Sequence, residues 1–206
     1  MGNKTSLRRR SKVDERAAPY HHGGLRDALI AAAQDILEAD GLAALSLRAV
    51  ARQAGVSPAA PYHHFSDKQA LLDAVAERGF DALTAAMTTR MDKVSGPAAR
   101  LDASGIGYVA FAVENPALCA LMFSAVGQNP SAGTALDGAR QRAYAVLQNA
   151  AAACSPDGKV SAAECLRLWA LVHGIAKLVL EGCIRPADFG LRDGEALAAY
   201  LLRRPS

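Results

Sequence analysis

The sequence predicts an all-α chain, and three observations carry that expectation. Of 206 residues, 45 are alanine and 11 are Phe, Trp or Tyr. That balance favours helices, because alanine has the highest intrinsic helix propensity and strands draw on β-branched and aromatic residues. Apolar residues recur at i, i+3, i+4 and i+7 over long stretches, whereas no stretch alternates apolar and polar residues as a half-buried strand would. Gly and Pro clusters then cut the periodic stretches into about nine segments. At 51% hydrophobic and 21% charged residues, the chain has enough apolar surface to offset its conformational entropy, so wholesale disorder is excluded. Collagen, coiled-coil rods and small disulfide scaffolds do not fit either.

Residues 1–19 read as a flexible basic arm. The first sixteen hold six Lys or Arg against Asp14 and Glu15, a net +4, while the whole chain carries +3. A basic arm on a near-neutral body suits an anionic partner. From Leu25 the stripe Leu25, Ala28, Leu29, Ala32, Ala33, Ile36, Leu37 predicts a helix that Gly41 ends. Ser46 is a suitable N-cap for a short helix with Leu47, Val50 and Ala51 on one face. Gly55 breaks the chain. Ser57 is a second N-cap, with Pro58 at the first helical position, and that helix should end near His64. Asp67 caps a long helix reaching about Met91, with the stripe Leu72, Val75, Ala76, Gly79, Leu83, Ala86. Further helices are expected at 98–114, 116–126, 131–154, 161–182 and 191–203. Glu114-Asn115-Pro116, Gly127 to Pro130, Ser155 to Gly158 and Arg185-Pro186 punctuate them.

Several chemistries find no support in the residues. Arg8, Arg9 and Arg10 are not followed by an apolar segment, and Leu168 to Leu180, interrupted by His173 and Lys177, is too short to span a bilayer. A cytoplasmic protein is expected. Cys119, Cys154, Cys165 and Cys183 show no Cys-x-x-Cys and no zinc spacing, which favours buried, reduced thiols. His21-His22 and His63-His64 have no acidic or Cys partner at ligand spacing, so no metal or cofactor is expected. Cys165 and His173 carry no mark of a nucleophile and its base, and no paired carboxylates suit acid–base work.

The stretch from Ser46 to Phe65 is the informative one. Two short helices around Ala54-Gly55-Val56-Ser57 fit a helix-turn-helix, whose second helix can enter the major groove. They fit a packing corner equally well on geometry. The residues Leu45-Ser-Leu-Arg-Ala-Val-Ala-Arg-Gln-Ala-Gly-Val-Ser-Pro-Ala-Ala-Pro-Tyr-His-His-Phe-Ser-Asp-Lys-Gln-Ala-Leu-Leu72 decide it. This stretch resembles the DNA-binding signature of TetR-family transcriptional regulators, and the resemblance extends back to Tyr20-His21-His22-Gly23. Trp169-Ala-Leu-Val-His-Gly174 looks like the Trp-x-x-x-His-Gly motif of one C-terminal subclass of that family.

The resemblance implies roles by position. Ser46 matches a hydroxyl that touches phosphate, and Arg48 stands near the groove. Ser57, Pro58, Ala59 and Ala60 match the exposed start of the recognition helix. Tyr62 and Lys68 match phosphate holders, with His63 and His64 flanking them, while Val56 and Phe65 match core positions. The chain departs from the family's pattern at Pro61, which removes a backbone donor inside a very short helix, and at Ala60, which replaces a frequent Thr. Base reading is then left to Arg48, the histidines, alanine contacts with thymine methyls, or DNA shape.

For the C-terminal part, Tyr108, Phe111, Met122, Phe123, Trp169 and His173 either line an apolar pocket or fill the core. The resemblance implies a small-molecule effector site there, and a dimer surface on the helices near 161–182 and 191–203. The expected organisation is the arm, a helix-turn-helix domain at 20–66 completed by the start of the helix 67–91, and an effector-binding and dimerisation domain at 97–206. The expected function is a homodimeric transcriptional regulator, a repressor of a palindromic operator released by its effector, with the helix 67–91 as the lever. The alternatives are a ligand-independent DNA-binding or architectural protein and a helical cytosolic enzyme.

Overall fold

The computed structural model describes residues 22–124 and 133–202. The basic arm, Tyr20, His21, the side chain of His22 and the Gly127 to Pro130 break lie outside the described residues. The described residues form helices and turns with no strand: α1 (His22–Asp40), α2 (Leu47–Gln53), a 3₁₀ helix (Ala60–His63), α3 (Lys68–Met91), α4 (Pro97–Glu114), α5 (Pro116–Met122), α6 (Ala135–Ala152), α7 (Ala162–Leu180), a second 3₁₀ helix (Pro186–Phe189) and α8 (Gly194–Leu202).

Local signals set most of the boundaries. Ser46 caps α2 by accepting from Ala49 N at 3.1 Å, and Asp67 caps α3 by accepting from Ala70 N at 2.8 Å. Thr134 and Ser161 cap α6 and α7 in the same way, each accepting from the backbone N–H three residues on. Gly41, Gly55 and Gly182 take the positive φ needed where the chain turns away from a preceding helix. Pro116 opens α5 after a turn of 109° from α4.

Two helices differ from expectation. The helix expected at 116–126 ends at Met122, with Phe123 as its C-cap. The helix expected at 57–64 is the 3₁₀ turn of Ala60–His63, and Ser57 does not cap it with its side chain. Pro61 is the cause. It has no N–H to return to Ser57, so the segment closes i to i+3 instead: Ala60 N donates to Ser57 O, Tyr62 N to Ala59 O and His64 N to Pro61 O. The cysteines also divide. Cys119 and Cys165 are buried as expected, Cys154 is half-buried, and Cys183, just past α7, is exposed.

One apolar core runs through the molecule along α3. At its N-terminal end, Leu71, Leu72 and Val75 pack with Leu29, Ala33 and Leu37 of α1, Leu45, Val50 of α2, and Phe65. Further on, Phe80, Leu83 and Met87 join Tyr108 and Val109 of α4, Ala139 and Ala143 of α6, and Met122 of α5. Each fully buried Leu or Val contributes about 1.5–3 kcal/mol relative to exposure. A smaller cluster of Met91, Leu101, Leu147 and Ala151 closes the far end of α3.

Two glycines let helices approach α3. A Cβ on Gly107 would lie 2.9 Å from both Ala86 O and Met87 Cα, which are backbone atoms and cannot turn aside. A Cβ on Gly79 would lie 2.6 Å from Met122 Sδ and 3.0 Å from Met122 Cγ, atoms of an unbranched side chain that can rotate aside. Gly107→Ala should therefore lower stability by about 1–3 kcal/mol. Gly79→Ala should come out near neutral, because the helix-propensity gain of about 0.5–1 kcal/mol offsets the repacking of Met122. Denaturant unfolding of both variants checks this; equal losses would show that the α3–α4 crossing is not the tighter one.

Candidate nucleic-acid interface and effector pocket

The helix-turn-helix is held by short-range bonds. Val56 N donates to Ala51 O at 3.0 Å across the bend at Gly55, whose φ is +68°. Phe65 is buried in the core and Val56 packs against it half-buried, as expected of core positions. Arg26 stacks its guanidinium 5.6 Å from the centre of the Phe65 ring, an anchor not anticipated from the sequence. Pro61 is fully buried, so the 3₁₀ turn is pinned from within.

Around that pin, Ser46, Arg48, Ser57, Pro58, Ala59, Tyr62, His63 and Lys68 are exposed, and Ala60 and His64 are half-buried. Tyr62 is 54% exposed, which for a tyrosine leaves its ring available to a partner. The Ser46 oxygen is occupied by its cap, but its O–H proton remains able to donate outward. Lys68 Nζ donates to Leu42 O at 3.3 Å, tying the start of α3 to the turn after α1. The Asp67 carboxyl is held below its usual range by the backbone N–H of Ala70, so its capping charge is present at neutral pH.

The second candidate site lies in the C-terminal half. An inner cavity of about 40 Å³ is lined by Phe80, Tyr108, Phe123, Arg140, Tyr144 and Trp169, among others. An outer cleft of about 500 Å³ opens between α4, α5 and α7 and shares Tyr108 and Phe123 with the cavity; His173, Lys177 and Glu181 lie along it. A second cleft, of about 530 Å³, lies between α6 and α7 and shares Arg140, Tyr144 and Trp169 with the cavity.

Of the pocket residues expected from the sequence, four come together. Tyr108 Oη and His173 Nδ1 share a hydrogen bond of 2.7 Å, and Phe123 touches the rings of Tyr108, Trp169 and His173. Phe111 and Met122 line neither the cavity nor the two clefts. Phe111 is buried in the core, and Met122 is fully buried with its sulfur against Gly79. Phe80, Arg140 and Tyr144 were missed. Each sits on a helix whose periodicity says only that a face is buried; their convergence depends on how α3 and α6 cross.

Burial dominates the electrostatics of this region. It pushes the Tyr108 phenol well above its ordinary range, so the O–H stays protonated. Burial, and then the neighbouring Lys177, pull the His173 imidazole below its ordinary value, so it is neutral at neutral pH. Burial also pushes the Cys119 thiol up to about 12, with the Glu38 carboxylate adding to the effect. Asp137 is buried and accepts from Gly133 N, Gln141 Nε2 and an Arg140 nitrogen at 2.9–3.3 Å, bonds that hold its carboxyl below its usual range.

Glu38 joins the two sites. Asn115 turns its side-chain amide back onto Phe111 O at 2.9 Å and gives α5 no side-chain cap. Glu38 of α1 supplies one instead: Oε2 accepts from Ala117 N at 3.2 Å and Oε1 from Leu118 N at 2.9 Å. The helix whose C-cap is Phe123 is thus tied to the helix that braces the helix-turn-helix.

The comparisons with known proteins agree with this geometry. Residues 29–75 match the bacterial regulatory proteins of the tetR family, and residues 101–204 match the Tetracyclin repressor-like C-terminal domain. The chain belongs to the TetR family: it is a DNA-binding transcriptional regulator with an N-terminal helix-turn-helix and a helical C-terminal domain. Among solved structures it is similar to a protein of unknown function from Rhodococcus sp. RHA1, at 36% identity and TM-score 0.73 over 90% of this chain and 95% of that one. It shares its fold with the TetR-family regulator PfmR from Thermus thermophilus, at 20% identity and TM-score 0.63 over 86% of this chain and 92% of that one. It also shares it with AibR, solved in complex with isovaleryl coenzyme A and operator DNA, at 17% identity and TM-score 0.62 over 86% and 95%. No curated protein sequence matches. Among the described residues no single helix is long and apolar enough to cross a membrane, and no three His, Cys, Asp or Glu side chains gather as metal ligands would.

Two outcomes follow from the geometry. Glu38→Ala should cost about 1 kcal/mol, the usual value of a lost helix cap, and should speed amide hydrogen exchange at Ala117 and Leu118 selectively. Unchanged exchange at those two amides would show that Glu38 does not hold α5. The second concerns pH. His173 has a folded-state pKa below its ordinary 6.5, so between the two values the unfolded chain binds more protons, and stability rises with pH. Acidifying from neutral pH through that window should lower the denaturation midpoint, and His173→Gln should flatten this part of the curve. An identical pH profile in the variant would rule out the His173 contribution.

Proposed function

We propose that the chain is a homodimeric repressor that binds a palindromic operator and is released by a small-molecule effector. One observation carries the reading: a single helix, α3, begins at Lys68 beside the helix-turn-helix and carries Phe80, Leu83 and Met87 into the wall of the inner cavity. A ligand that favours one position of α3 thereby favours one position of the DNA-binding part. The site assignments are those of the sequence. Ser46, Tyr62 and Lys68 hold phosphates, with His63 and His64 flanking Tyr62 and Lys68, Arg48 stands near the groove, and Ser57, Pro58, Ala59 and Ala60 form the exposed start of the recognition helix. The helix-turn-helix domain occupies 20–66, completed by the start of α3, and 97–206 form the effector and dimerisation domain. The basic arm adds phosphate contacts.

The dimer is supported by the surface of α7 and α8. Leu166, Leu171 and Leu178 of α7 and Tyr200 of α8 are 43–63% exposed, an apolar concentration that a second copy would cover. Two helix-turn-helix units in such a dimer would read half-sites roughly 34–36 Å apart, or a multiple of one DNA turn. The effector role is supported by AibR, which shares the fold and was solved with both an acyl-coenzyme A and operator DNA. Trp169, His173 and Gly174 support assignment to the Trp-x-x-x-His-Gly subclass.

Selection of bound DNA fragments with the purified protein, followed by footprinting, tests this reading. A protected palindrome with one dimer per site is expected; tight binding of monomers to one asymmetric half-site would refute it. In the same assay Lys68→Ala should weaken operator and random DNA alike and flatten the salt dependence by about one phosphate contact. A loss confined to the operator would make Lys68 a base reader instead.

A further inference from the structure

The geometry points to a flat aromatic compound, neutral or anionic, as the effector, with its ring taking the place now held by the Phe123 ring. This rests on the effector role proposed above and names the chemistry of the same site. The chain has 11 Phe, Trp and Tyr residues, and five of them, Phe80, Tyr108, Phe123, Tyr144 and Trp169, meet around one cavity. The apolar core elsewhere is built mostly of Leu, Ala, Val, Ile and Met. Phe123 is the hub of the cluster. Its ring lies 4.9 Å from His173 at 71°, 5.6 Å from Phe80 at 82°, 6.2 Å from Tyr108 and 6.3 Å from Trp169. These separations fall in the range that aromatic pairs prefer, and the two steepest are edge-to-face. The surroundings are thus shaped for a flat ring.

The cavity beside this ring, at about 40 Å³, has room for a few water molecules and falls well short of the roughly 150 Å³ that accepts a benzene ring. A larger ligand must displace a side chain, and Phe123 is the one placed to yield. It follows the last residue of α5, is half-buried, and lines both the inner cavity and the outer cleft of about 500 Å³. Turning its ring outward joins the two spaces without breaking a helix. A ligand ring entering there inherits the four ring neighbours. An aliphatic chain fills the same volume without their edge-to-face geometry.

Charge narrows the class further. Among the described residues Arg140 is the charged one lining the cavity, whereas Lys177 in the cleft stands beside Glu181, so it is the inner wall that disfavours a cationic ligand. Asp137 and Glu181 pair with those cations, so a neutral ring is tolerated as well as an anionic one. The Tyr108–His173 hydrogen bond offers a polar handle to a ring hydroxyl or carboxylate.

The test uses the full-length protein and three probes of similar size: 4-hydroxybenzoate, hexanoate and benzyltrimethylammonium. Binding is read by calorimetry and by the emission of Trp169, the chain's single tryptophan and a wall of this cavity. Wild type should bind 4-hydroxybenzoate in preference to the other two, with a change in Trp169 emission. Phe123→Leu keeps apolar bulk but removes the competing ring. If the ring-out state is a minor one populated at about 1–10%, the variant should bind the aromatic probe about 10–100-fold more tightly. Hexanoate or the ammonium probe binding wild type as tightly as 4-hydroxybenzoate would overturn the proposal. So would an unchanged affinity in a folded Phe123→Leu protein, or no aromatic binding in wild type. Should the variant fail to fold, the three-probe comparison on wild type decides alone. Operator binding, measured separately by fluorescence anisotropy, keeps the readings apart. A protein that binds operator but no aromatic probe loses this inference and retains the repressor reading; one that binds no DNA loses the repressor reading first.

Discussion

The constraint on which the structure depends is that one helix serves two ends of the core. α3 has 24 residues, a length of about 36 Å. Its first turns bury Leu71, Leu72 and Val75 against α1 and the helix-turn-helix, and its later turns bury Phe80, Leu83 and Met87 against α4, α5 and α6. A straight hydrogen-bonded helix cannot change its two ends independently, so the placement of the helix-turn-helix is coupled to the packing of the C-terminal half. Gly107 of α4 lies against the backbone of this helix at Ala86 and Met87, and the absence of a side chain there sets the depth of that contact.

A second constraint follows from composition. With so many alanines, the helices approach one another over small side chains, and the core is filled mainly by Leu, Val, Ile, Met and Ala. The few aromatic residues are then distinctive wherever they cluster. Phe65 is the aromatic residue in the core beneath the helix-turn-helix, whereas five rings surround the inner cavity and His173 stands beside Phe123 in the outer cleft. Large flat side chains leave irregular gaps that small aliphatic ones close, and the inner cavity lies within the aromatic cluster.

The sequence made the local part of this legible. Helix starts at Ser46 and Asp67 and turns at Gly41 and Gly55 are read from one or two residues each, because caps and positive-φ turns are decided within four residues. The helix-turn-helix followed from such signals together with the family resemblance. Pro61 announced a missing donor, but its consequence, an i to i+3 turn in place of a helix from Ser57, required knowing that Pro61 is buried and cannot relax outward. Four of six expected pocket residues do gather, since a bulky side chain on a helical face is legible. Phe111 and Met122 face the core instead, and Phe80, Tyr144 and Arg140 complete the cavity, because which faces meet is fixed by helix crossings. Glu38 carried no signal at all: it lies 79 and 80 residues from the two amides it caps.

That contact gives α5 a particular position in the molecule. Seven residues make a helix too short to be stable on its own. Its place is set by Leu118, Leu121 and Met122, buried in the core shared with α1 and α3, and by a tie at each end: Glu38 of α1 at its N-terminus and the Phe123 ring against Phe80 of α3 at its C-terminus. α3 is a long helix fixed along its length by a continuous core, and α5 is a short element that joins the same core. A change at Phe123 is felt directly at Phe80 of α3, and at Glu38 of α1 through two turns of α5.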